Sequence, residues 1–280
     1  MEIKEQAAKS ILIKSNLPDC DFVINPYLGC GHGCAYCYAR FMSKYSGVKE
    51  EWGQFVVAKT NAPDLLRKEI AKLERKRSAT TSPSLPVILL SSVTDPYQPI
   101  EKKYQLTRQC LNILKDYPYP VSILTKSSLV LRDLDILKQF PNIEVGITLT
   151  TLDPQIQQKI EPAASSPAER LRALAELKKA GIATYGFFGP VLPKLVGSEE
   201  MIKSLAGKVD YLYVEVLNSR KPNFESLMTT FQKHFPKLIP YYQKTFLDKK
   251  NKQVYFDQLE KEIKSLCQKY QVHLKSFICH

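Results

Sequence analysis

Six short apolar segments recur along the chain, and amphipathic helical patterns separate most of them. The segments are residues 22–27, 87–91, 121–125, 145–149, 184–191 and 211–217. Short continuous apolar runs are typical of parallel strands that are buried on both faces. The alternation of strands and helices therefore predicts a parallel sheet with right-handed helical crossovers.

Local start and stop signals place two of the intervening helices. Asn61 precedes Pro63, and apolar residues follow at helical spacing, which predicts a helix start. The tetrapeptide that begins at Ser166 and ends at Glu169 is a capping box, and Gly181 is a suitable C-terminal residue for the helix it opens. Six strand–helix units fit a partial (β/α)6 TIM-like barrel, which we assign to residues 1–217.

The pattern changes after Leu217. Residues 218–251 are rich in Lys, Pro and aromatic residues, residues 256–270 have the periodicity of an amphipathic helix, and residues 272–278 alternate like an edge strand. We therefore expect residues 218–280 to form a C-terminal extension of helices and a strand, packed on the barrel.

Composition limits the function classes only broadly. The 280-residue chain is 44% hydrophobic, as expected of a folded α/β protein. Forty Lys and Arg against 28 Asp and Glu give a net charge of +12, which suits a polyanionic partner but does not require one. The charged residues 1–14 lack the apolar core of a signal peptide, and no segment is as long as a membrane span, so we expect a cytoplasmic protein with no membrane partner.

Three thiols lie within eight residues, at Cys30, Cys34 and Cys37, with C-x3-C-x2-C spacing. Three protein thiolates on a four-iron cluster leave one iron free to bind a small molecule. Neighbouring glycines give the loop the backbone freedom to wrap such a cluster.

A zinc site built from the same three cysteines and His32 is the alternative. Zinc sites typically use two separate C-x2-C pairs, and the sequence has no second pair. The other cysteines, Cys20, Cys110, Cys267 and Cys279, are scattered singly and are interpreted as isolated thiols.

The cysteine spacing, with aromatic Tyr36 just before the last cysteine, resembles the radical S-adenosylmethionine (SAM) enzymes. The resemblance implies a [4Fe–4S] cluster held by Cys30, Cys34 and Cys37, and SAM bound at the open iron. Reductive cleavage of SAM would give a 5′-deoxyadenosyl radical that abstracts a hydrogen atom from a substrate. The resemblance to these enzymes also implies a partial barrel and a reductant of the flavodoxin or ferredoxin type.

Functional side chains of parallel barrels collect at the carboxyl ends of the strands. At these ends the sequence offers the candidate SAM-binding residues Thr94, Asp95, Lys126, Thr148, Thr150 and Thr151. Lys126 could pair with the carboxylate of SAM, and the other side chains could bind its ribose or amine. For each threonine, an ordinary turn or cap is the alternative interpretation.

Further segments resemble the spore photoproduct lyase family, and most closely its uncharacterised relatives. They are Cys30 to Tyr38, Thr94-Asp95, Val121 to Lys126, Glu161-Pro162, Arg170-Leu171, Gly186 to Pro190 and Tyr213 to Val216. The resemblance implies radical-relay roles for Tyr36 and Tyr38, for which packing around the cluster is the alternative. Ser92 stands where the lyases have a hydrogen-donating cysteine, and an alcohol O–H bond is too strong for that step.

For the substrate, nucleic acid is the first candidate. Basic clusters lie among aromatic residues, a combination that suits a phosphate backbone and stacked bases. The residues are Arg75-Lys76-Arg77, Lys102-Lys103, Lys237, Lys244, Lys249-Lys250, Lys252, Tyr241, Tyr242, Phe246 and Tyr255. The alternatives are a solvated basic face, modification of a peptide or small metabolite, and a non-catalytic metal-binding protein.

Overall fold

Parallel strands dominate the computed structural model, which describes residues 1–78 and 84–280. In chain order the strands are β1 (Glu2–Gln6), β2 (Leu12–Lys14), β3 (Phe22–Ile24), β4 (Tyr27–Gly29), β5 (Phe55–Lys59), β6 (Ile88–Leu90), β7 (Val121–Thr125), β8 (Ile143–Leu149), β9 (Ala183–Val191), β10 (Tyr211–Val216) and β11 (Leu274–Ile278).

The described helices surround these strands. In chain order they are α1 (Ala62–Ser78), α2 (Glu101–Tyr104), α3 (Leu106–Leu114), α4 (Leu134–Leu137), α5 (Pro154–Ile160), α6 (Pro167–Lys179), α7 (Ser198–Leu205), α8 (Lys221–His234), α9 (Ile239–Phe246) and α10 (Lys249–Lys269). Short 3-10 helices cover Tyr38–Tyr45, Ser128–Asp133 and Pro236–Leu238.

The main sheet has the strand order β11-β10-β9-β8-β7-β6-β3-β2. All neighbours from β3 to β11 are parallel, and β2 alone pairs antiparallel, with β3. Strands β3 and β6–β10 are the six strands that the apolar pattern predicts. Since β2 and β11 lie at opposite edges, the sheet stays open, and the predicted partial (β/α)6 barrel is confirmed.

A second sheet, of order β1-β5-β4, was not predicted from the sequence. The apolar segment 22–27 divides at Asn25 and Pro26 into β3, which joins the barrel, and β4, which pairs antiparallel with β5. Because β4 ends at Gly29, this small sheet positions the start of the cysteine loop.

The helix signals are confirmed in part. Ser166 and Glu169 form the predicted capping box at the start of α6. Asn61 stands just before α1, but its side chain exchanges hydrogen bonds of 2.8 and 2.9 Å with the backbone of Ala8. The basic cluster Arg75-Lys76-Arg77 lies in the last turns of α1, which continues to Ser78, and residues 79–83 lie outside the described part of the chain.

The C-terminal segment packs directly on the barrel. Strand β11 adds to the edge of the sheet beside β10, and α10 lies against α7 and α9. Tyr242, Phe246 and Ile263 belong to the same buried cluster as the barrel strands. The boundary at residue 217 stays a prediction. No described helix has the length and apolarity needed to span a bilayer.

Alternation along β9 and β10 separates the two faces of the sheet. Leu212, Val214 and Val216 are fully buried in the main hydrophobic core, whereas Tyr211 and Tyr213 face the barrel interior, where both pack on Tyr185. This ring cluster fills the amino-terminal end of the half barrel. The carboxyl ends of the strands form the opposite end, which we call the mouth.

Candidate active site

The cysteine loop begins where β4 ends, in a tightly braced turn. Gly29 has φ +83°, and a Cβ there would lie 2.6 Å from the carbonyl oxygen of Phe55, so the position requires glycine. The Gln98 amide donates to the Thr94 hydroxyl at 2.9 Å, and its oxygen accepts from the Gly31 N–H at 2.8 Å. The Thr94 hydroxyl donates to the carbonyl of Gly29 at 2.5 Å. The loop after β6 therefore fixes the backbone around Cys30.

The three motif thiols are free and enclosed by protein, with Cys30 and Cys34 buried and Cys37 half-buried. Burial raises the pKa of all three, and that of Cys34 reaches about 12 although the Lys126 ammonium opposes the shift. The charges of Cys34 and Cys37 also raise the pKa of Cys30, so the thiols lie within electrostatic reach of one another. Thiolates in such a pocket need a cationic partner.

The surroundings of the thiols fit an iron–sulfur cluster better than a single ion. No group of three or more His, Cys, Asp or Glu side chains in the described ranges is arranged to hold one metal ion. A four-iron cluster does not require such an arrangement, because each thiolate binds a different iron. Arg40 Nε is a buried donor with no hydrogen-bond partner in the described chain, and the Trp52 indole N–H is directed at Cys37, whose pKa both groups lower against the effect of burial. The sulfur atoms of an anionic cluster would accept from such donors.

His32 does not favour the zinc alternative. Its Nδ1 lies 3.0 Å from the carbonyl oxygen of Ala163, and its Nε2 lies 3.3 Å from Oδ2 of Asp95. Both ring nitrogens therefore face oxygen atoms rather than the thiols. The imidazole ties the cysteine loop to the loops that follow β6 and α5.

A fully buried polar network lies directly beneath the loop. The Tyr36 hydroxyl donates to Glu161 and lies 2.9 Å from the hydroxyl of Thr150. Arg170 forms an ion pair of 2.5 Å with Glu161, and both side chains are 0% exposed. Burial opposes ionisation of Glu161, but the charges of Arg170 and Lys126 and the hydrogen bonds from Arg170 and Tyr36 together outweigh it and lower the pKa of this carboxyl. The network holds the ring of Tyr36 between Cys34 and Cys37.

Lys126 and Asp95 both lie near the thiols, as the sequence predicts. Burial lowers the pKa of Lys126, but the negative charges of Cys34 and Glu161 outweigh it and raise that pKa. The Lys126 ammonium lies 5.7 Å from the ring centroid of Tyr36. It is therefore a fixed positive charge beside the cysteine loop.

Asp95 is held mainly by protein groups. It accepts hydrogen bonds from the Thr125 hydroxyl at 2.6 Å and from the Lys126 N–H at 2.8 Å. Burial raises its pKa, but the charge of His32 and these hydrogen bonds prevail, so that the pKa of Asp95 falls to about 2. The carboxylate is ionised and aligns the loops at the ends of β6 and β7.

The candidate threonines differ in what their side chains contact. The Thr150 hydroxyl donates to the carbonyl of Gly189 at 2.9 Å, and the Thr151 hydroxyl accepts from the N–H of Asp153 at 3.1 Å. Thr148 is buried, and its carbonyl accepts from Arg170 at 3.1 Å. Together with Thr94, they lie at the mouth as expected, and their contacts with SAM stay a prediction.

Tyr38 and Ser92 meet across the mouth. The Tyr38 hydroxyl donates to the carbonyl oxygen of Ser92, and the Ser92 N–H donates to Oδ1 of Asn25 at 3.0 Å. On the other side, His280 Nε2 lies 2.9 Å from Oε1 of Glu215. The mouth is therefore lined by polar groups from the first strand to the last.

Several of these residues received no role from the sequence. Glu161 follows the fourth predicted strand and, like Arg170 and Gln98, belongs to a segment that carries the resemblance, Asn25 flanks the cysteine loop, and His280 was not singled out; none of them was assigned a role. Buried charges are rare unless paired, so an isolated Arg at an apolar position of α6 is the signal that could have identified Arg170.

The fold and the three-thiol site define a class of protein. Residues 24–206 match the radical SAM superfamily, and the chain belongs to it. The chain is 40% identical over 220 residues to the uncharacterized protein MJ0683 of Methanocaldococcus jannaschii, across 78% of each chain. It is 29% identical over 178 residues to a radical SAM Nalpha-GlyT isomerase of Pseudomonas phage M6, across 63% of this chain and 34% of that protein.

Among solved structures, the fold matches that of spore photoproduct lyase. A lyase variant with bound AdoMet and dinucleoside spore photoproduct superposes with a TM-score of 0.71 at 16% identity, covering 98% of this chain and 82% of the lyase chain. At this identity the likeness establishes the fold. The protein is therefore a radical SAM enzyme with the architecture of that lyase, and its reaction is unassigned.

Proposed function

We propose that Cys30, Cys34 and Cys37 hold a [4Fe–4S] cluster and that the protein uses it to cleave SAM and abstract hydrogen from a substrate in the mouth. When bound, the cluster supplies one electron and SAM supplies the 5′-deoxyadenosyl radical. A reductant of the flavodoxin or ferredoxin type and a cytoplasmic location are parts of this proposal.

One observation carries the proposal. Three enclosed thiols lie within electrostatic reach of one another beside two buried donors: Arg40 Nε, which has no partner in the described chain, and the Trp52 indole N–H, which is directed at Cys37. Leaving a buried donor unsatisfied costs about 1–3 kcal/mol, so these donors are better explained by an acceptor that occupies the loop. The sulfur atoms of a cluster are such acceptors.

The remaining residues have positioning roles in this proposal. Lys126 offers a positive charge to the carboxylate of SAM, and its neighbours Glu161 and Cys34 keep it protonated. Thr94, Asp95, Thr148, Thr150 and Thr151 shape the ribose and amine side of the pocket. Tyr36 and Tyr38 flank Cys37 in the chain, with Tyr36 buried against the loop and Tyr38 half exposed at the mouth. The Glu161–Arg170 pair keeps the ring of Tyr36 in place.

Anaerobic reconstitution tests the proposal. The reconstituted protein should bind about four irons per chain, change its reduced EPR signal when SAM is added, and release 5′-deoxyadenosine with dithionite. Cys34→Ala should lose all three properties. Cys279→Ala is the matched control, because that thiol is exposed at the end of the chain, and it should retain them. A Cys34→Ala variant with an unchanged cluster and EPR response would contradict the proposal.

For the substrate we propose a nucleic acid. The net charge of +12 favours a polyanion, and the lyase of the same fold is described with a dinucleoside photoproduct. Repair of that photoproduct is not proposed, since Ser92 replaces the hydrogen-donating cysteine that the resemblance implies.

A binding measurement tests the substrate class. Labelled single-stranded DNA and RNA should bind at low ionic strength, and the affinity should fall steeply with added salt. Absence of binding at low salt would remove nucleic acid as the substrate class. Production of 5′-deoxyadenosine by the same preparation would then point to a peptide or a small metabolite.

A further inference from the structure

A row of exposed aromatic side chains leads outward from the mouth. Tyr38, Phe41 and Tyr45 lie on the 3-10 helix Tyr38–Tyr45, which begins immediately after Cys37, and are 49%, 49% and 62% exposed. We call these three side chains the mouth stripe. The other strongly exposed large apolar side chains in the described ranges are aliphatic, so exposed aromatic surface is concentrated here.

Two of the four aromatic residues that the sequence places among the basic clusters of the C-terminal segment are buried, contrary to the expectation of exposed rings there. Tyr242 and Phe246 are 0% and 3% exposed and pack on each other at 5.4 Å between ring centroids. Tyr255 is half-buried against Phe246. Tyr241 is half-buried, with the Lys194 ammonium 4.0 Å from its ring centroid, so the rings among these basic residues are more covered than those of the mouth stripe.

The spacing of the mouth stripe suits consecutive flat ligands. Tyr38 and Phe41 are three residues apart and Phe41 and Tyr45 four, and a 3-10 helix rises about 2.0 Å per residue. The Cα atoms of these residues are therefore about 6 and 8 Å apart along the axis. Side chains at i and i+3 eclipse in such a helix, which places Tyr38 and Phe41 on one face and turns Tyr45 about 120° away from it.

Charge and position indicate what the stripe binds. The Lys44 ammonium lies 4.8 Å from the ring centroid of Tyr45, so a cation accompanies the aromatic surface. Exposed aromatic rings next to lysines are the arrangement by which proteins stack bases and neutralise phosphates of single strands. At the inner end, Tyr38 contacts the backbone of Ser92, which makes the stripe continuous with the mouth.

We propose that the mouth stripe stacks consecutive unpaired bases of a single-stranded nucleic acid and guides one nucleotide into the mouth. This inference rests on the proposed nucleic-acid substrate and adds its strandedness and its docking surface. Bases in a duplex stay stacked on their neighbours and do not offer free faces, so a duplex should bind more weakly.

Fluorescence anisotropy with a labelled 12-nucleotide single strand tests the inference on the reconstituted protein. Phe41→Ala/Tyr45→Ala should weaken binding at least tenfold, because each stacked base contributes about 1–3 kcal/mol. Phe41→Trp/Tyr45→Trp should restore it. Leu247→Ala is the matched control, since this aliphatic side chain is 63% exposed on the surface just after α9, and it should change binding less than twofold.

Salt dependence separates stacking from charge. Lys44→Met should lower the slope of log affinity against log salt by about 0.7, the value for one phosphate contact on a single strand. The aromatic double variant should leave this slope unchanged. If the stripe acts only through charge, the aromatic double variant should bind with unchanged affinity and only Lys44→Met should weaken binding. That result would overturn the inference.

Two other outcomes also overturn it. One is unchanged affinity of Phe41→Ala/Tyr45→Ala for the single strand. The other is a double variant that binds the single strand normally but forms 5′-deoxyadenosine more slowly with a protein electron donor, and at the usual rate with dithionite. That result would make the stripe a docking surface for the reductant. The proposed function fails separately, when the unaltered protein forms no 5′-deoxyadenosine with dithionite and SAM.

Discussion

The two ends of the half barrel are built from the same strands but differ in how their interiors are filled: aromatic rings pack at one end, and a buried ion pair lies at the other. At the amino-terminal end, Tyr185 stacks on Tyr211 with ring centroids 5.3 Å apart, and its hydroxyl donates to the carbonyl of Ile123 at 3.1 Å. At the mouth, a buried charge pair, Glu161 and Arg170, supports the loop that carries the thiols.

The difference lies in what the polar groups do. Tyrosine rings bury a large apolar area, and each hydroxyl needs only one hydrogen-bond partner. The amino-terminal end, which we call the closed end, therefore stabilises the barrel without buried charges. Buried charges cost free energy unless they are paired and hydrogen-bonded, and they hold a defined geometry when they are. We therefore expect changes at the closed end to affect stability alone, and changes at the mouth to affect stability and cluster retention together.

The largest effect is expected for Arg170→Met. Removing one member of a buried ion pair leaves the Glu161 carboxylate uncompensated, which costs about 3–5 kcal/mol. Urea unfolding should show this loss in the free energy of unfolding, and iron per folded chain should fall. The control is Arg172→Met on the same helix, whose side chain is 63% exposed and pairs with Glu176 at 3.5 Å. Arg172→Met should lower the free energy of unfolding by less than about 1 kcal/mol. If both variants lower it equally, the buried pair at the mouth has no special role.

Gly146→Val should destabilise the closed end. A Cβ at this position would overlap the ring of Tyr185, and overpacking of this kind costs about 3 kcal/mol at its upper range. The free energy of unfolding should fall while iron per folded chain stays constant. Adding Tyr185→Leu should recover part of the loss, because the smaller side chain leaves room for valine. Loss of iron from the folded single variant would mean that the two ends are coupled.

A matched pair of Tyr→Phe variants gives the smallest and sharpest comparison. Tyr36→Phe removes a hydrogen bond to the charged Glu161 and should cost about 2 kcal/mol, whereas Tyr185→Phe removes one to a neutral carbonyl and should cost about 1 kcal/mol. Only Tyr36→Phe should also speed the loss of iron to a chelator. The same rate of loss in both variants would show that the ring of Tyr36, rather than its hydroxyl, supports the loop.

The barrel strands, the start of α6 and the cysteine site could be predicted from the sequence because each is marked by residues close together in the chain. Apolar runs mark β3 and β6–β10, the capping box at Ser166 marks α6, and the spacing of three cysteines marks the site. The small sheet of β1, β5 and β4 was missed because the exposed β1 carries no apolar alternation, and the buried apolar run of β5, which has the same local signal as the predicted strands, was overlooked. The burial of Tyr242 and Phe246 in the basic and aromatic C-terminal segment was not predicted, because composition does not tell which rings become buried.

By itself, then, the sequence determined the strands, the helix starts and the three thiols, each from neighbours within a few positions. Only the tertiary structure decided that Tyr36 reaches Glu161 across 125 residues, that Arg170 neutralises it, and that Tyr38, Phe41 and Tyr45 are the rings left in solvent. The physical reason is that strand order in the sheet, and not spacing along the chain, sets which side chains meet at the mouth. Pairing of charges and burial of rings follow from that order.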